Sequence, residues 1–248
     1  MKNLYVFLVV LLGLSLSSCQ FTEEISFNDN GSGTFKMTID MNDMIDMFKS
    51  MENDTTPDSE RVYEYKDTLI NFDEFLIEYK DSIKNLSVKE RAKIENLKGF
   101  KMHVLMDEKN KLFYLDIFKD FNDIRELKDI QKQIETAQKI QNNDAPESNG
   151  DVENHEVNYT YTSKKFSRNV KMLELSEEQQ QLFDDQVEKA SMFTNNSKYH
   201  LKYYFPKKII STNLEGAQIS EDGHTLNFEI EFNKLIENPE LLDFEVKF

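Results

Sequence analysis

Four histidines, one cysteine and a methionine stripe are the residues of this 248-residue chain whose types suggest site chemistry. His103 and His200 fall in strand-like segments, His155 in a polar linker and His224 in a hairpin turn. No two histidines share the i, i+4 spacing that places a pair of metal ligands on one helical face, and HExxH is absent. Met41, Met44, Ile45, Phe48 and Met51 recur at helical spacing. Thioethers bind copper(I), but no histidine or cysteine lies nearby to complete a site, so the stripe reads as core. Asn28, Asn30, Ser32 and Gly33 echo the start of a calcium loop. The twelfth position would be Ile39, where a bidentate Glu is needed, so the segment reads as a turn. Acidic residues number 46 and are scattered, and no pair stands out for acid–base work. GxSxG, SxxK, GxGxxG and phosphate-loop patterns are absent, which favours binding over catalysis. No cofactor is expected.

The single cysteine, Cys19, follows an uncharged apolar run from Leu4 to Leu16 that is preceded by Lys2. That run is short for a membrane span, which needs about 20 apolar residues, and has the build of an export signal. Leu16-Ser17-Ser18-Cys19 resembles the lipobox of bacterial lipoproteins. The resemblance implies a diacylglyceryl group on the Cys19 thiol, cleavage of residues 1–18, and acylation of the new amino terminus. Two acyl chains hold a protein stably on a membrane. Gln20 stands where aspartate would signal inner-membrane retention, so the resemblance favours the outer membrane, at its periplasmic face or the cell surface. With Cys19 consumed, the body has no thiol left for catalysis, metal binding or a disulfide.

The net charge is −16, and −17 once Lys2 leaves with the signal. Nucleic acid is thereby excluded as a partner, since phosphate neutralisation needs clustered Lys and Arg. Two stretches nevertheless lack acidic residues: Val157 to Leu173, with Lys164, Lys165, Arg168 and Lys171, and Thr194 to Leu214, with Lys198, Lys202, Lys207 and Lys208. If adjacent, they would make a basic face for lipid headgroups, an anionic glycan or an acidic envelope protein. Otherwise the lysines simply offset nearby carboxylates.

These residues must be positioned by a mixed architecture. Alternating segments predict hairpins at residues 22–40, 100–118 and 217–232 and strands at 156–166, 198–205 and 241–248. Helices are expected over 73–86, over 87–99 (opening in a Ser87/Glu90 capping box), over about 122–141 with Ile124, Leu127, Ile130, Ile134 and Ala137 as its buried stripe, and from Ser176 with Gln179 closing a second box. Asn142 to His155 is too polar to pack and reads as a flexible segment. The expectation is one α+β domain over residues 19–248: an antiparallel sheet built from hairpins, with about four or five helices on it. The ending "LLDFEVKF" resembles the closing strand of outer-membrane barrels, but the helices argue for a sheet outside the membrane.

Asp54-Thr55-Thr56, Asp67-Thr68-Leu69 and Asp81-Ser82-Ile83 resemble the O-glycosylation pattern of Bacteroidota-like envelope proteins. "ISFNDNGSGTF" near the start and "YHLKYYFPKKI" with "SEDGHTLNFEI" near the end are similar to the layout of LppM-type lipoprotein domains, which implies a β-rich envelope domain and no catalytic residues. The expected function is a lipid-anchored binding or scaffold module. An envelope hydrolase using scattered carboxylates and a carrier of lipid or another hydrophobic ligand are the alternatives. An apolar cavity would favour the carrier, and converging buried carboxylates the hydrolase.

Overall fold

The structure, a computed structural model, describes residues 19–43, 45, 63–128, 130, 133–134, 152–194 and 196–248. The first hairpin is formed by β1 (Gln20–Phe27) and β2 (Gly33–Asp40). Its turn takes the positive φ of Gly31, and Asn28 N donates to the Ser32 carbonyl. Gly33 is required by close approach, because a Cβ there would sit 2.1 Å from the Ser26 carbonyl oxygen. Then come β3 (Tyr65–Asn71), the short helices α1 (Phe72–Glu78), α2 (Lys80–Lys84) and α3 (Val88–Glu95), and the hairpin of β4 (Phe100–Asp107) and β5 (Leu112–Phe121). The helix expected over 73–86 is two pieces joined at Tyr79. The Ser87/Glu90 capping box at the start of α3 is formed.

The helix expected from Asn122 is a single 3-10 turn, Ile124–Leu127, capped by Asp123. Lys128 is extended, and helix resumes by Ile130. The buried stripe survives the break, since Ile124, Leu127, Ile130 and Ile134 are all core. Ala137, like much of the 41–51 methionine stripe, lies outside the described residues; Ile45 of that stripe is buried and Met41 packs against the core.

The later part of the chain contains β6 (His155–Tyr161), β7 (Lys165–Met172) and α4 (Glu177–Thr194). It continues through β8 (Lys198–Tyr204), β9 (Ser211–Thr212), β10 (Gln218–Ile219), β11 (Thr225–Glu231), α5 (Phe232–Glu237) and β12 (Phe244–Lys247). The capping box at Ser176 and Gln179 is present, and the hairpin turn uses the positive φ of Gly223.

The α+β class holds, but the sheet differs from the expected one. There are two sheets. The larger has eight strands in the order β10-β11-β8-β1-β2-β5-β4-β3, and the smaller has four, β6-β7-β12-β9. The small sheet is antiparallel, whereas the large one contains a parallel pair, β1 with β8, from Gln20↔Lys198 to Ser26↔Tyr204. Hairpin signals are local and cannot reveal that a late strand docks beside the first one. The sheets face each other: the Phe166 ring of β7 lies 5.5 Å from that of Phe27 and 5.5 Å from that of Tyr203. Among the described residues the apolar core runs from Ile25 of β1 to Val246 of β12. Among the described residues no helix is long and apolar enough to cross a membrane.

Candidate functional site: a cavity between the two sheets

Alternation along β1 turns Phe21, Glu23, Ile25 and Phe27 toward the small sheet. Three of these are apolar; Glu23 is not, and it is fully buried. Its two carboxylate oxygens accept hydrogen bonds from the Tyr199 and Tyr203 hydroxyls, both on the neighbouring parallel strand β8. Across the gap, β7 presents Arg168, 2% exposed, whose Nη1 donates to the Leu242 carbonyl at 3.0 Å. The guanidinium carbon stands 5.9 Å from the Tyr159 ring centre. The buried Tyr159 hydroxyl interacts with the Arg168 side chain and with Tyr203.

The electrostatics follow from this enclosure. Burial, then the Glu23 charge, pushes the Tyr199 and Tyr203 phenols well above their usual range. Tyr159 is pushed up to about 12, again by burial first and Glu23 second. Burial pulls the Arg168 guanidinium down, but Tyr159 and Glu23 outweigh it, and the net shift is upward. A neutral core cluster results, one cation against one carboxylate.

Beside this cluster lies a cavity of about 360 Å³, within the size range of small-molecule sites. Its inner wall is made by Met37, Val157, Arg168 and Tyr199, all buried. Half-buried Phe21, Ile39, Phe183, Phe232 and Leu235 line its sides, and the Phe21 and Phe232 rings stack at 4.1 Å. Val152 to Glu156 supply the remaining edge, so the last part of the segment expected to be flexible is packed against the fold; residues 142–151 lie outside the described ones. His155, expected in the linker, opens β6 and is depressed to about 4 by burial and then by the Arg168 charge. It therefore meets the cavity as a neutral imidazole at neutral pH.

No match is found among protein-family models, curated proteins or solved structures. The geometry has to carry the functional reading.

The residues singled out by sequence are dispersed. Cys19 directly precedes β1 and is 4% exposed, two positions from the cavity-lining Phe21 on the same strand face. Burial, then Asp40 and Asp43, raises its thiol, so it is not a poised nucleophile. Arg168, expected on a basic surface, is inside the core, because its β7 position faces β1 and β8. Burial thereby removes Arg168 from the expected basic face. β7 and β8 turn their inner faces to one another, which sends Lys171 and the Lys198 and Lys202 pair to opposite sides. Lys165 pairs with Glu245 and Lys198 with Glu229, each at 2.5 Å, which matches the charge-offsetting alternative. Lys207 Nζ donates to the Ser163 carbonyl, bringing it beside Lys164; Lys208 is exposed and packs its stem near Gly223. Among the described residues there is no cluster of three or more His, Cys, Asp or Glu able to hold a metal.

Glu23 was legible in principle. It is the one charged residue at an inward position of β1, and a buried charge requires partners.

Proposed function

We propose that this chain is a cell-envelope lipoprotein, held on the membrane by acyl chains on Cys19, whose α+β body binds an apolar ligand. The observation that carries the binding reading is the cavity of about 360 Å³ between the sheets, walled chiefly by Phe, Leu, Ile and Met side chains. Apolar surface in such a cavity gains about 25 cal/mol per Å² when a ligand removes it from water. The carrier alternative is thus favoured over a hydrolase, since the buried titratable cluster holds a single carboxylate, committed to two tyrosines. Its position supports the anchor reading as well. Phe21 lines the cavity two residues after Cys19, so a lipidated Cys19 would hold this end of the sheet near the bilayer.

Two measurements test the reading. An uncharged naphthylamine dye should brighten on the body, residues 19–248 carrying Cys19→Ser, and Leu235→Trp should reduce its uptake by filling the cavity. No brightening, or equal uptake by Leu235→Trp, refutes the binding site. Metabolic acyl labelling should mark the wild-type chain and be absent from Cys19→Ser; equal labelling refutes the anchor.

A further inference from the structure

Asn154, Phe183 and Ile236 line the cavity and also line a second hollow, a groove of about 500 Å³ between α4, the end of α5 and the chain that follows β7. Its apolar wall is half-buried: Leu173, Leu175, Phe183, Val187 and Ile236. The α4 side follows from helical spacing. Phe183 and Val187, four residues apart, make one row, and the exposed Gln180, Asp184 and Glu188 make the next. Glu237, the last residue of α5, is exposed on the other side of the groove.

Charge decides what such a groove accepts. Among the described residues its lining has three carboxylates, Asp184, Glu188 and Glu237, and neither Lys nor Arg. Asp184 accepts a hydrogen bond from the neutral Gln180 amide at 2.8 Å, which leaves its charge uncancelled. At the shared edge the cavity adds Glu153 and Glu156, of which Glu156 has Lys171 opposite it in the β6–β7 register. Arg168, the cation in the cavity wall, is buried and balanced by Glu23. The two hollows together are therefore apolar within and negative at the mouth. An anionic head group would meet repulsion there and from a chain of net charge −16, whereas a cation would be drawn in. Resting on the binding reading above, we propose that the ligand is a single-chain cationic amphiphile, with its hydrocarbon tail in the cavity along Phe21, Ile39 and Leu235 and its cationic head in the groove among Asp184, Glu188 and Glu237. The apolar walls supply most of the affinity, and the carboxylates select the sign of the head group.

The experiment is a displacement series on the full chain carrying Cys19→Ser, loaded with the uncharged naphthylamine dye. The competitors keep one tail and change the head: dodecylammonium, dodecanol and dodecanoate, each below the concentration at which it forms micelles. Contacts between exposed ions are individually weak, but three together correspond to about fivefold or more in affinity at low salt. Dodecylammonium should therefore displace the dye at about one fifth of the dodecanol concentration or less, and dodecanoate at neutral pH should be the weakest of the three. The advantage of dodecylammonium should shrink toward parity in about 1 M salt, where charges are screened beyond about 3 Å. In Asp184→Asn/Glu188→Gln/Glu237→Gln the ammonium and the alcohol should become equally potent, with the alcohol itself unchanged. Glu74→Gln/Glu78→Gln/Glu95→Gln removes the same charge from α1 and α3 and should leave the advantage in place. All six side chains are exposed, so neither variant disturbs the core, and the salt series reads the same selectivity with no groove substitution. Equal potency of dodecylammonium and dodecanol at low salt, preference for dodecanoate, or an advantage indifferent to salt overturns the proposal and leaves the apolar cavity standing. So does an advantage that the groove variant keeps, or that both variants lose equally. Failure of the dye to bind the Cys19→Ser chain refutes the binding reading itself, and this inference with it.

Discussion

Arg168→Met should be among the most damaging single substitutions in the body, and its cost should depend on Glu23. Both side chains are essentially fully buried, at 2% and 0% exposure. Removing the cation leaves the Glu23 carboxylate in a low-dielectric core with only the two tyrosine hydroxyls as partners. Breaking a buried pair from one side costs about 3–5 kcal/mol, a large part of the 5–15 kcal/mol that holds a typical domain together. Adding Glu23→Gln removes the stranded charge. The double variant should then lose only about 1–2 kcal/mol, from the Leu242 carbonyl that no longer receives Nη1 and from imperfect packing. Urea unfolding followed by circular dichroism reads both. With a slope near 2.5 kcal/mol per molar, a loss of about 4 kcal/mol lowers the midpoint by about 1.5 M, and the second substitution should restore about half of that or more. If Arg168→Met costs the same in the Glu23→Gln background as in the wild type, the two charges are not coupled and the account of the cluster is wrong.

Acid should act through His155. Its folded value of about 4 lies below the ordinary 6.5, so the unfolded chain takes up the proton first. The associated stability is complete above about pH 6.5 and is lost as pH falls toward 4, amounting to about 2–3 kcal/mol. His155→Asn should flatten that part of the stability–pH curve, and an unchanged slope between pH 7 and 4.5 would count against it. Gly33→Ala should destabilise the body by about 2 kcal/mol or more, since the new methyl would meet the Ser26 carbonyl oxygen at 2.1 Å and the Phe121 ring at 2.5 Å; a change within about 0.5 kcal/mol in thermal or urea unfolding would contradict this. Tyr203→Phe removes one of the two donors to Glu23 and should cost about 1.5–3 kcal/mol by the same assay, while a neutral effect would mean that Glu23 is not held by that hydroxyl.

Sequence determines local structure here wherever one short stretch decides the outcome. The Ser87/Glu90 and Ser176/Gln179 boxes, the Gly31 and Gly223 turns, and the inward set Tyr199, Leu201, Tyr203 and Phe205 depend on neighbours a few residues away, so periodicity and turn chemistry suffice. The stripe Ile124, Leu127, Ile130 and Ile134 was visible for the same reason, although the backbone that presents it breaks at Lys128. What pairs with what was not visible. That β8 docks parallel to β1, at a separation of 178 residues between Gln20 and Lys198, rests on side-chain complementarity across the whole sheet. The candidate site is a product of that docking: Glu23, Tyr199, Arg168 and His155 come from four strands in two sheets. Arg168 looks like a surface charge beside Lys164 and Lys165 because sequence gives only its neighbours along the chain. Tertiary structure turns its strand face toward a buried carboxylate, and the free energy of burying a charge then dictates every partner around it.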